Sequence, residues 1–167
     1  MKRFALTLLM SSMSLLPSLA PADEAAPTVS LKRLTLETAN KVALGALAAC
    51  RKEGIQIGVT VVDRDGNVQV SMRDTIAATI TLPISRQKAF TAVNFNASTS
   101  ALAASERANT PIGRIDGLVM AAGGLPIQAG GQLLGGVGVS GAPAGETDER
   151  CARAGIEQVI DDLEMAM

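Results

Sequence analysis

Eleven of the thirty-three residues from Gly113 to Gly145 are glycine, and they stand between short aliphatic runs rather than in a uniform low-complexity tract. Leu118 to Met120, Leu125 to Ile127, and Leu133-Leu134 with Val137 and Val139 read as three short strands separated by Gly-Gly turns. A strand carrying Gly135, Gly136 and Gly138 has no side chains to hold a neighbour away. Either another backbone or a flat ligand can then lie directly against it, or Ala-rich helices pack onto it unusually closely.

The residues before this tract supply the remaining elements. Leu36, Ala39, Ala43, Ala46, Leu47 and Cys50 recur at three- and four-residue steps behind a possible Thr35 N-cap, and Gly54 closes the segment, which predicts a first helix. Ile55, Ile57, Val59 and Val61 alternate, as do Val68, Val70 and Met72. Asp63 to Asn67 between them is turn chemistry, so the stretch reads as a β-hairpin. A second helix is expected from about Pro83 to Asn96 and a short third one within 98–107. A last amphipathic helix follows Thr147 as cap, with Cys151, Ile156, Val159, Ile160 and Leu163 on its apolar stripe. The expectation is an α+β domain in the order α-β-β-α-α-β-β-β-α.

The N-terminus reads as an export signal. Lys2 and Arg3 precede thirteen apolar or small residues, and Ala20-Pro21-Ala22 forms an A-x-A cleavage site. That apolar run is shorter than the roughly 20 residues a bilayer-spanning helix needs. Residues 1–22 are therefore assigned as signal peptide, 23–34 as a flexible leader and 35–167 as one domain, in a periplasmic or secreted protein with no membrane span. In an oxidising compartment Cys50 and Cys151, the two cysteines of the chain, are expected to pair; two buried free thiols are the other arrangement.

Composition removes whole classes of function. The chain has no histidine, which excludes Ser-His-Asp and Cys-His catalysis and histidine-ligated metal or haem. A net charge of −1 offers no basic face for nucleic acid. Gly136 to Gly141 fits G-x-G-x-x-G, but too little chain follows for a second parallel strand. Ser85 and Lys88 fit S-x-x-K without the partner motifs of a Ser/Lys hydrolase, and Ser140 has no base to activate it. No catalytic residue and no metal site is assigned. Lys88 stands out because it shares a helical stripe with Ile84, Thr91 and Phe95. Its stem either covers apolar surface while the ammonium reaches water, or the ammonium points into a pocket for an anion.

Taken together, Lys88-Ala89-Phe90-Thr91-Ala92, Ala122-Gly123-Gly124-Leu125-Pro126-Ile127, Gly135 to Gly141 and Asp148-Glu149-Arg150-Cys151-Ala152 resemble, in order, the GlcG/HbpS-like haem-binding family. The resemblance spans about 35–165. It implies a profilin-like α+β fold with a five-stranded antiparallel sheet flanked by helices, homo-oligomers, and haem or a related tetrapyrrole as ligand. A His-Thr pair common in haem-binding members falls on Ile80-Thr81, so the imidazole is missing here. Haem would have to rest on Met72, Met120, a cysteine thiolate, the Thr81 hydroxyl or no strong axial ligand, with Lys88 or Arg73 facing its propionates. The candidate ligand-binding residues are Arg73, Thr81, Lys88, Thr91, Gly123, Gly124 and Ser140. The expected function is non-catalytic binding of a tetrapyrrole or small anion; the alternative is an oligomeric interaction module without a ligand.

Overall fold

The computed structural model describes residues 26–167, so the signal-peptide assignment lies outside the described residues. The folded unit runs from Leu31 to Met167. The end of the stretch read as leader packs onto it: Leu34 is buried in the main core, and Arg33 pairs with Asp63 and Asp65 of the hairpin turn.

Helix α1 (Leu36–Lys52) begins where the Thr35 hydroxyl accepts the Thr38 N–H, the expected cap. Strands β1 (Gly58–Asp63) and β2 (Val68–Arg73) form the hairpin, with Gly66 at φ +86° in its turn. Helix α2 (Thr81–Phe95) starts two residues before Pro83, and α3 (Thr99–Ala104) is capped by Ser98. Two single turns of 3-10 helix, Glu106–Asn109 and Pro111–Arg114, lead on to β3 (Gly124–Ala129) and β4 (Gln132–Ser140).

The sheet has four strands in the order β2-β1-β4-β3, all neighbours antiparallel, which corrects the expected five. The missing strand is Leu118 to Met120. Its backbone does not pair with a neighbouring strand, and the N–H of Val119 donates instead to the Thr91 hydroxyl of α2 at 2.9 Å. The last helix is also divided, into α4 (Gly145–Glu157) and α5 (Ile160–Met165), with Val159 at φ −131° between them. Helix α4 starts with Gly145 rather than behind Thr147.

The two faces of the sheet are built differently. Val59, Val61, Leu125, Ile127, Val137 and Val139 point toward α1 and α4, forming the main aliphatic core. Those helices approach closely through Gly45 and Gly155 and are joined by a Cys50–Cys151 disulfide with Cα atoms 5.5 Å apart. On the other face Gly58, Gly124, Gly136 and Gly138 lie under α2. A Cβ on Gly136 would stand 2.9 Å from the Ala89 carbonyl, and one on Gly138 would collide with the Ser85 carbonyl. Of the two readings of the glycine tract, close packing is the one realised: it is the α2 backbone that lies on the sheet.

Candidate ligand-binding cleft

Lys88 projects from α2 toward the end of β4, and its surroundings decide what it does. Its ammonium is buried, with 6% of the side chain exposed, and donates to Asp148 Oδ2 and to the Val139 carbonyl, each at 3.0 Å. Asp148, in the first turn of α4, has 4% of its side chain exposed, and its Oδ1 accepts the Ala142 N–H at 2.9 Å. Gly123 makes this arrangement possible: at φ +125° it occupies a conformation that favours glycine, and a Cβ there would stand 2.7 Å from the Lys88 ammonium. Lys88 thus neither snorkels nor offers a free charge. It is half of a buried ion pair in which each charged group also makes a hydrogen bond to the backbone, as burial of both requires.

The pair forms the floor of a cleft of about 590 Å³ where the start of α2, the end of β4, the 119–122 segment and the start of α4 meet. Ala78, Ile80, Ile84, Val119, Ala121 and Ala122 give it apolar walls; Thr81, Ser140, Lys88 and Asp148 supply its polar groups. The rim formed by residues 74–80 is held from behind. Asp74 is buried against the Arg51 guanidinium, whose pKa is raised by that hydrogen bond and by the carboxylate's charge, against the opposing effect of burial.

Three of the seven candidate residues, Thr81, Lys88 and Ser140, therefore line one cleft. Gly123 adjoins it and clears space for the Lys88 ammonium. The others do not line it. Arg73 is exposed and donates to the carbonyls of Asp74 and Thr75 at 3.1 and 3.2 Å, so it fastens the rim loop. Thr91 is fully buried and holds Val119, while Gly124 makes room for the α2 backbone. The motif readings resolve in the same way. Ser85 bonds to Thr60 at 2.8 Å and to the Leu82 carbonyl, Lys88 to Asp148, and Gly136 to Ser140 lie within β4 itself.

Sequence reasoning missed Asp148 as a site residue, though its signal was present. The buried stripe of α4 is Asp148, Cys151, Ala152 and Gly155, so this carboxylate shares a stripe with apolar and small residues, as Lys88 does on α2. One buried charge on each of two helices flanking one strand end is a reason to pair them.

The family model described as haem degrading protein HbpS-like matches residues 34–157. The chain belongs to the HbpS-like family. A double mutant of HbpS from Streptomyces reticuli is 40% identical, covering 86% of this chain and 99% of its own with a TM-score of 0.76. A second HbpS structure is 41% identical over 83% of this chain and 98% of its own, with the same TM-score of 0.76. PduOC, solved as a haem complex, shares the fold at 24% identity and a TM-score of 0.68, covering 75% of this chain and 94% of its own. No curated protein matches the chain.

An HbpS-like chain without histidine poses the question of what can hold an iron. Cys50 and Cys151 are bonded to each other in the opposite layer, so neither is available as a thiolate. Met72 packs against the main core, and Met120 is half-buried between two cleft residues without lining the cleft. The polar residues lining it include Thr81, whose hydroxyl donates to the Ala78 carbonyl at 2.8 Å, and Ser140, beside the paired Lys88 and Asp148. The walls are mostly apolar, as a macrocycle's faces require. For iron the site offers hard oxygen donors and not the imidazole or thiolate that usually fixes haem.

Proposed function

We propose that this protein is an exported binding protein that takes haem or a related tetrapyrrole into the cleft beside Lys88 and Asp148, and holds it without catalysing its breakdown. The observation that carries this reading is the cleft itself: about 590 Å³ of mostly apolar space with hydroxyls and a buried ion pair at its floor. The kinship with HbpS supports the ligand class, and the haem complex of PduOC is an example of a haem protein with this fold. Ile80, Ile84 and Val119 would cover the macrocycle and exclude water from it, Thr81 and Ser140 would supply the polar groups beside it, and the rim anchored by Arg51 and Asp74 would keep the walls in place. Bound haem supplies redox-active iron; the chain supplies shape and hydrogen bonds. A binding role is the reading adopted because Lys88 and Asp148 are committed to each other, so neither is free to move a proton at a bound ligand.

The test is a haem titration followed between 350 and 700 nm, a range in which the polypeptide itself adds no absorbance. The expected result is a saturable, shifted Soret band at one haem per chain that persists for hours when ascorbate and oxygen are supplied. A spectrum indistinguishable from free haem would contradict binding. Bleaching of the band with appearance of an open-chain product would contradict the non-catalytic assignment and leave the binding intact.

A further inference from the structure

The floor of the cleft is richer in hydrogen-bond donors than the ion pair alone requires. Ser140 is 7% exposed and lines the cleft, yet its hydroxyl has no hydrogen-bond partner among the described residues. The hydroxyl oxygen is not among the buried side-chain atoms that lack a partner, so the small exposed part of Ser140 includes this oxygen, and a ligand entering the cleft can meet it. The Lys88 ammonium has three hydrogens and, among the described residues, two acceptors. Helix α4, thirteen residues long, begins at the same place. No side chain caps it, Thr147 and Asp148 donate back to the Ala144 carbonyl, and the N–H groups of Gly145 and Glu146 have no acceptor among the described residues. Gly145 itself lines the cleft. The two Asp148 oxygens, which would repel an anion, are each already engaged, by Ala142 and by Lys88.

We infer that these donors form a carboxylate anchor: the Ser140 hydroxyl, the remaining Lys88 hydrogen and the open N-terminus of α4 receive a carboxylate carried by the ligand. The full charges of Lys88 and Asp148 cancel, so recognition comes from directed hydrogen bonds and depends weakly on salt. The inference rests on the cleft being the ligand site and adds the functional group received at its floor. The same chemistry suits a porphyrin propionate or a small free carboxylate, and the two are separable.

Haem, haem dimethyl ester and sodium propionate are the probes, each titrated against the full chain and against Ser140→Ala, which removes a group with no structural partner. Haem is expected to bind the native protein at least about tenfold more tightly than the ester, the worth of one or two hydrogen bonds to a charged group. Ser140→Ala is expected to shrink that ratio to about twofold with the thermal midpoint unchanged. Equal affinity for haem and its ester would overturn the anchor while leaving tetrapyrrole binding standing. If neither porphyrin binds, the tetrapyrrole reading fails, and propionate alone decides the anchor. A saturable rise in thermal midpoint that is lost in Ser140→Ala supports a small-carboxylate site; no rise overturns it.

Discussion

The two layers around the sheet hold together by different means. On the side of α1 and α4, valine, isoleucine and leucine side chains interdigitate, and a disulfide joins two helices from opposite ends of the sequence. On the α2 side side chains are removed: glycines let the helix backbone rest on β4 and β3, and beside a small cluster of Val62, Ala89 and Val93 the buried residues include polar Thr60, Ser85, Lys88 and Thr91. The first layer can be understood from apolar area and cross-linking. The second depends on fit and on satisfied polar groups, and it is the one that opens into a cleft. Apolar area and a cross-link hold one layer, close backbone approach and paired polar groups the other, with Asp148 of α4 reaching between them.

The contrast breaks most sharply at the ion pair. Lys88→Met leaves a buried carboxylate without its cation and is expected to destabilise the fold by about 3–5 kcal/mol in urea unfolding. The double variant Lys88→Met/Asp148→Leu is expected to recover most of that loss. If the single variant is as stable as the native chain, the pair is not buried as described.

Removing the cross-link acts on the other layer. With the cysteines 101 positions apart in sequence, Cys50→Ala/Cys151→Ala is expected to lose about 2–5 kcal/mol. Haem affinity in the folded state should change little. A large affinity loss at full folding would mean that the layers are not separable.

Gly138→Ala probes the glycine face. The added methyl would stand 2.6 Å from the Ala89 nitrogen and collide with the Ser85 carbonyl, so α2 must lift. Overpacking of this kind costs about 1–3 kcal/mol, and here it should also weaken ligand binding because Thr81, Ile84 and Lys88 move with the helix.

The smallest effect belongs to the hairpin turn, remote from the cleft. Burial raises the Asp63 pKa, but this is outweighed by hydrogen bonds from Asn67 and from the Asp65 backbone and by the Arg33 charge, so it lies below the usual carboxylate value. A depressed folded-state pKa contributes stability that is present above the ordinary value of 3.8 and is lost as pH falls through the folded value. The stability difference between native and Asp63→Asn protein should therefore be present at neutral pH and vanish in strong acid, as followed by unfolding at a series of pH values.

Much of the α1 layer was legible in the sequence because it rests on local periodicity. The Thr35 cap, the alternation of the hairpin and the placement of both cysteines on apolar stripes follow from residue spacing. The α2 layer was less so. Leu118 to Met120 has strand-like residues, but its backbone is claimed by Thr91, a partner 28 positions away. The break at Val159 interrupts a stripe that looks continuous. Lys88 was recognisable as a charge on a buried stripe, but its partner lies 60 residues on, in an element whose early acidic residues are equally explained by the helix dipole. Arg73 looked like a ligand cation because the sequence shows its charge and not the carbonyls that occupy it.

The most direct test of where the ligand sits compares two apolar-to-acid substitutions in opposite layers. Ile84 lines the cleft, whereas Leu44 is exposed on α1, with 49% of its surface accessible. Haem titrations of the native protein, Ile84→Asp and Leu44→Asp should show native affinity for Leu44→Asp and a loss of at least about tenfold for Ile84→Asp. Native affinity in Ile84→Asp, or equal losses in both, would contradict the placement of the ligand in the cleft under α2.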